Sequence, residues 1–120
     1  MQSLNSYEYG QVVRANMKQD ISASTVFEMV IQPKQGSSKN ASLLNADRPN
    51  GAIIATNPDV TVGTVDVVVG DETYSANEYL EYTIKANDLS RPGIWRLRGT
   101  AVISSTSKLI GDFVRFTVLD

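Results

Sequence analysis

The chain contains no cysteine and no histidine. The first absence excludes disulfides, thiolate nucleophiles, iron–sulfur clusters and cysteine-ligated zinc. The second excludes a Ser-His-Asp triad, a histidine-containing zinc site and any side chain that titrates near neutrality when unperturbed. Long apolar runs are missing too, since stretches such as Val67-Val68-Val69 fall far short of the roughly 20 residues a membrane-spanning helix needs. The first eight residues have neither a basic nor an apolar region of the kind that starts a secretory leader, so none is expected. Charge of one sign is also scarce. Eleven basic and 13 acidic side chains leave a net charge of −2, too little to steer the chain toward nucleic acid or an anionic membrane.

What the chain has in quantity is β-branched side chains: 13 Val, 8 Ile and 9 Thr make up a quarter of its 120 residues, and such residues favour extended backbone. The apolar residues recur with a period of two, the mark of a strand with one buried face. Residues 11–18 set Val13, Ala15 and Met17 on one face. Residues 25–31 set Phe27, Met29 and Ile31 together, after a bend at Asp20-Ile21-Ser22. A polar loop is expected over 33–40, a short strand over 41–44, and a tight turn at Asp47-Arg48-Pro49-Asn50-Gly51. A strand over 52–56 closes at Asn57-Pro58-Asp59. Residues 60–69 read as one strand in which Gly63 marks a bulge, and Gly70-Asp71-Glu72 turns it.

Residues 79–85 place Leu80, Tyr82 and Ile84 inward. One helical turn is expected at 87–90, stopped by Pro92-Gly93. Residues 94–103 set Trp95, Leu97, Ala101 and Ile103 on one face and Arg96, Arg98, Thr100 and Val102 on the other. After a loop at 104–107, residues 109–119 read as a last strand with Val114, Phe116 and Val118 facing in. Eight or so short strands with frequent turn signals predict an all-β, antiparallel immunoglobulin-like β-sandwich forming a single domain. It would span residues 10–120, preceded by an N-terminal arm over 1–9 that orders on binding a neighbour. Trp95 is expected at the centre of the core.

Chemistry-bearing groups are few. Asp71, Glu72, Glu78 and Glu81 are the nearest approach to a carboxylate constellation for glycoside hydrolysis or calcium. Their spacing lacks a calcium-loop pattern, and a solvated surface is the simpler reading. Arg96 and Arg98, two apart on a strand, project from one face and can meet a partner surface or pair with carboxylates on neighbouring strands; Arg91 and Arg115 are the other members of this basic group. Tyr7, Tyr9, Tyr74 and Tyr79 are candidate interface anchors, because tyrosine is enriched at binding hot spots, whereas Tyr82 shares the Leu80/Ile84 face and belongs to the core. Asn40-Ala41-Ser42 matches a glycosylation sequon, which has no meaning without secretion. No catalytic residue, cofactor or metal is expected.

Two end segments carry a resemblance. One runs Asp20-Ile21-Ser22-Ala23-Ser24-Thr25 into Phe27-Glu28-Met29-Val30-Ile31-Gln32-Pro33 and a polar turn. The other is Asp88-Leu89-Ser90-Arg91-Pro92-Gly93-Ile94-Trp95, followed by a closing strand ending Phe116-Thr117-Val118. This layout resembles immunoglobulin-like structural proteins of tailed bacteriophages, and is similar to the N-terminal domain type of their baseplate upper proteins. Ser24-Thr25 stands where that pattern has Ala-Thr. The resemblance implies a non-enzymatic virion protein, made in the bacterial host cytoplasm and working by contact with other virion proteins in a homo-oligomer or symmetric assembly. A tail or baseplate adaptor and a capsid decoration protein are both compatible with it. A carbohydrate-binding sandwich, stacking sugars on Trp95 or the surface tyrosines, is the alternative from another class.

Overall fold

The period-two pattern is realised as strands, most with one face turned inward, because consecutive side chains of extended backbone leave it on opposite sides. A computed structural model describes residues 4–5, 7–33, 52–86, 88–89 and 92–119. In chain order the strands are β1 (Leu4–Asn5), β2 (Val12–Asn16), β3 (Val26–Pro33), β4 (Ile53–Thr56), β5 (Val60–Val62) and β6 (Val67–Val69). They continue with β7 (Glu72–Tyr74), β8 (Tyr79–Thr83), β9 (Gly93–Ser104), β10 (Ser107–Ile110) and β11 (Val114–Leu119). Among the described residues there is no helix, and hence none long and apolar enough to cross a membrane. The expected strand at 41–44, the turn at 47–51, the sequon at 40–42 and Arg91 lie outside the described residues.

The long strand β9 organises the largest sheet. β3 pairs antiparallel along one edge of it, from Val26 opposite Val102 to Pro33 opposite Trp95. On its other edge β11 covers the first half and β10 the second, both antiparallel. β4 extends the sheet beyond β3, and β1 extends it beyond β11 in parallel. A second sheet has the order β2-β8-β5, and β6 and β7 form a separate hairpin. The inward faces of the two larger sheets share one core. Met29, Ile31, Trp95, Leu97 and Phe116 from the first meet Val13, Ala15, Leu80 and Val60 from the second. Trp95 is fully buried, with its ring 6.4 Å from that of Phe116. The fold is therefore all-β, antiparallel but for the β1–β11 pair, and sandwich-like.

Gly99 explains how closely the two sheets approach. It faces inward from β9, and a Cβ there would lie 2.9 Å from Ala15 Cβ and 3.0 Å from both Leu80 Cδ1 and Met17 Sδ. Only the missing side chain lets β2 and β8 pack down at this point.

Several expectations need correction. Residues 60–69 are two strands in different sheets. β5 ends at Val62; at the next residue, Gly63, N donates to Tyr79 O and O accepts from Asn77 N, and the Tyr79 ring occupies the space a Cβ would fill. The chain then leaves β8 and returns as the hairpin strand β6, turning through Gly70 with φ of 60°. Residues 109–119 are likewise divided: β10 and β11 lie on the same edge of β9, joined by 111–113, and Gly111 N donates to Gly99 O at 2.9 Å. Val114, expected inside, is 38% exposed at the start of β11. Of the helical turn expected at 87–90, residues 87 and 90 lie outside the described residues. Leu89 is buried and its carbonyl accepts from Tyr7 N at 2.7 Å, while the Asp88 carboxylate accepts from Tyr82 Oη and Lys85 N. The stretch 1–9 is not wholly free either, since Leu4 is buried in the core and pairs in register with Val118.

Candidate functional site

The outward face of the large sheet gathers the basic side chains. Register places Arg96 of β9 directly opposite Arg115 of β11 on one side and Gln32 of β3 on the other, and Arg98 opposite Val30. Residues paired this way share a face, so Arg96, Arg98 and Arg115 project together. Phe113, from the segment that joins β10 to β11, lies against the first two. Its ring centroid is 4.0 Å from Arg96 Cζ and 4.4 Å from Arg98 Cζ, the geometry of paired cation–π contacts.

Gln32 is buried and positions one guanidinium. With its amide carbonyl turned toward Arg96, Oε1 accepts from both Nε and Nη2 at 2.9 Å. Arg98 Nε is buried and has no hydrogen-bond partner among the described residues. Carboxylates on neighbouring strands were the expected partners of these arginines. Among the described residues none pairs with them, and the residue across from Arg96 is another cation. Like charges facing each other across a ladder disfavour the sheet. The arrangement is thus a cationic face whose Arg96 and Arg98 guanidiniums are held by Gln32 and Phe113. Ile94, two positions before Arg96 on the same face, is 48% exposed.

The other candidates divide. Tyr7 and Tyr9 are 58% and 66% exposed, on the segment that leads into β2. Tyr74 and Tyr79, expected as surface anchors, are buried instead. Their rings meet edge to face at 5.6 Å, and Tyr79 Oη donates to Val65 O at 2.7 Å. Burial above all pushes both phenols up from their ordinary pKa. These two rings fasten the β6–β7 hairpin to β8. The polar loop between them misled the reading, because a loop that caps two inward-facing residues looks the same in sequence as one flanked by exposed residues.

The carboxylates are dispersed in use. Arg14 Nε lies 3.1 Å from Glu81 Oε2, directly across the β2–β8 ladder, and Lys85 Nζ lies 2.9 Å from Asp59 Oδ2. Glu72 Oε1 accepts from Asn16 Nδ2 at 2.8 Å. Among the described residues no three acidic side chains gather as a metal site would require. Trp95, the proposed stacking platform for sugars, is fully buried and presents no ring to solvent.

Two features escaped the sequence reading. Phe113 was merely a residue within an expected strand, and its place beneath the guanidiniums follows from the break between β10 and β11. It also lines a cleft of about 400 Å³ with Lys18, Glu72 and Asp112. The second feature was visible in the sequence: charge is segregated along the chain. Residues 49–84 contain Asp59, Asp66, Asp71, Glu72, Glu78 and Glu81 and no lysine or arginine, whereas 92–119 contain Arg96, Arg98, Lys108 and Arg115 against Asp112 alone.

No known protein family, curated protein or solved structure matches this chain.

Proposed function

We propose that the protein is a non-enzymatic structural component of a tailed-bacteriophage virion, a tail or baseplate adaptor that works through contacts with other virion subunits. The virion placement rests on the end-segment motifs, Asp20 to Pro33 and Asp88 to Trp95. On the same ground we read the sandwich-like packing as a variant of the immunoglobulin-like sandwich. The observation that carries action by docking is the cationic face: three arginines on adjacent strands, one oriented by Gln32 and two stacked on Phe113. Arginine and aromatic side chains beside exposed aliphatic groups are the composition of protein interfaces rather than of ordinary surface.

Peptide mass spectrometry of purified virions, with heads and tails separated before digestion, tests the placement. A few copies in the tail fraction are expected. Abundant copies in the head fraction would make it a capsid decoration protein, and absence from both would overturn the virion reading. The docking face is tested by Arg96→Ala with Arg98→Ala, expected to weaken assembly while far-ultraviolet circular dichroism stays unchanged. Unaltered assembly would remove these residues from the interface.

A further inference from the structure

The cationic face and its electrostatic complement occur on the same chain. Of the six carboxylates in 49–84, Glu81 is engaged by Arg14 and Asp59 by Lys85. Among the described residues, Asp66, Asp71, Glu72 and Glu78 have no cationic partner. Asp66 sits just before β6, and Asp71 and Glu72 are exposed at the turn of the β6–β7 hairpin. The hairpin belongs to neither larger sheet. The hairpin and the segment leading into it also expose aliphatic surface: Val65, before β6, is 63% and Val68 67% exposed. The arginine face offers the counterpart, guanidiniums beside the exposed Ile94.

We infer that the arginine face of one copy receives the acidic β6–β7 hairpin of a second copy. This rests on the reading that the protein works through subunit contacts, and names the partner. Charge complementarity decides the occupant: carboxylates meet Arg96, Arg98 and Arg115, while Val65 and Val68 meet the aliphatic rim. Arg96 is already oriented by Gln32 and Phe113, so little side-chain freedom is lost on contact. A nucleic acid fits less well, because phosphates would leave Ile94 uncovered and the chain as a whole is acidic. The two patches are unlike, so the contact is head to tail, the kind that closes a ring or continues from copy to copy.

The test uses the full chain in sedimentation velocity over a concentration series at low salt and at about 1 M salt, where charge attraction is screened. The wild type is expected to associate at low salt and to dissociate at high salt. R96E/R98E and D71K/E72K should each weaken association by about tenfold or more, since each brings like charges together. Mixing these two variants should restore a complex, because one retains the hairpin and the other the face. Carrying all four substitutions in one chain should restore self-association. Circular dichroism and Trp95 emission identify any variant that fails to fold, and Arg115→Glu then serves in place of the first pair.

A wild type that stays monomeric at every concentration overturns the inference, as does a mixture no more associated than its parts. Binding of duplex DNA, lost in R96E/R98E, by a chain that does not self-associate would assign the face to nucleic acid instead. The wider reading stands or falls separately: a monomeric chain found in virion tails overturns only this contact, and a self-associating chain absent from virions overturns only the placement.

Discussion

Gly63 and Gly99 both lie where neighbouring side chains fill the space of a Cβ, and they differ in what a methyl group would meet. At Gly99 the obstacles are a methyl, a leucine methyl and the end of a methionine, all near 3 Å. Met17 can shift but Ala15 on its strand cannot, so Gly99→Ala is expected to cost about 1–3 kcal/mol. At Gly63 the obstacle is the Tyr79 ring at 1.9 Å, buried and tethered to Val65 O. Gly63→Ala should therefore destabilise more, by about 3 kcal/mol or above, and release the hairpin. Urea unfolding of the two variants checks the ranking.

Titration at the residue scale is alkaline. Burial first, then the Asp88 hydrogen bond and charge, push the Tyr82 phenol well above its ordinary value, and Tyr74 and Tyr79 shift the same way. The unfolded chain releases these protons near pH ~10, and the folded chain holds them. Their contribution is complete below the unfolded pKa and is lost as pH rises toward the folded values. The urea midpoint is expected to fall between about pH 9 and about pH 11, less steeply in Tyr82→Phe.

Among the elements, β3 has an unusual start. β4 ends its ladder with Thr56 opposite Glu28. The Asn57 side chain then continues it, with Oδ1 accepting from Phe27 N at 2.7 Å and Nδ2 donating to Thr25 O at 3.2 Å. An amide side chain carries the same donor and acceptor as a peptide group, so it stands in for one more strand residue. Asn57→Ala should cost about 1–2 kcal/mol and hasten amide exchange at Phe27 while Met29 stays slow. Strands β2, β3 and β8 were legible because one face of each is buried and the alternation is clean. β6 was not: all three of its residues are valine, so no alternation marks a face or an end. The division of β10 from β11 was hidden for a related reason, since both lie on one edge of β9 and their apolar residues run on through the break.

At the scale of the whole molecule, Trp95 is fully buried in the core that the two larger sheets share. Its emission should be blue-shifted and resist iodide quenching, then shift red in one step with urea. Strong quenching in the native state would contradict the packing and revive Trp95 as a sugar platform. Arg96→Ala with Arg98→Ala should leave that emission unchanged, because both side chains lie on the opposite face of β9. A loss of assembly without a change in Trp95 emission would separate docking from folding.

By itself the sequence determined the all-β class of the fold and the larger part of the core, though not the placement of Tyr74, Tyr79 or Val114. Whether a side chain points in or out along a strand is local: it follows from the pleat, so Phe27, Met29, Ile31, Leu80, Trp95 and Leu97 could be assigned inward from spacing alone. Tertiary structure decided which strands are neighbours, and with that the character of the surface. Glu81 met Arg14 across one ladder, but Arg96 met Arg115 across another, although both arginines alternate with apolar residues in the same way. Pairing joins residues distant in the chain through register and through close contacts such as that of the Tyr79 ring with Gly63. No local pattern encodes that meeting, which is why the arginine pair was visible in advance and the face it forms with Phe113 was not.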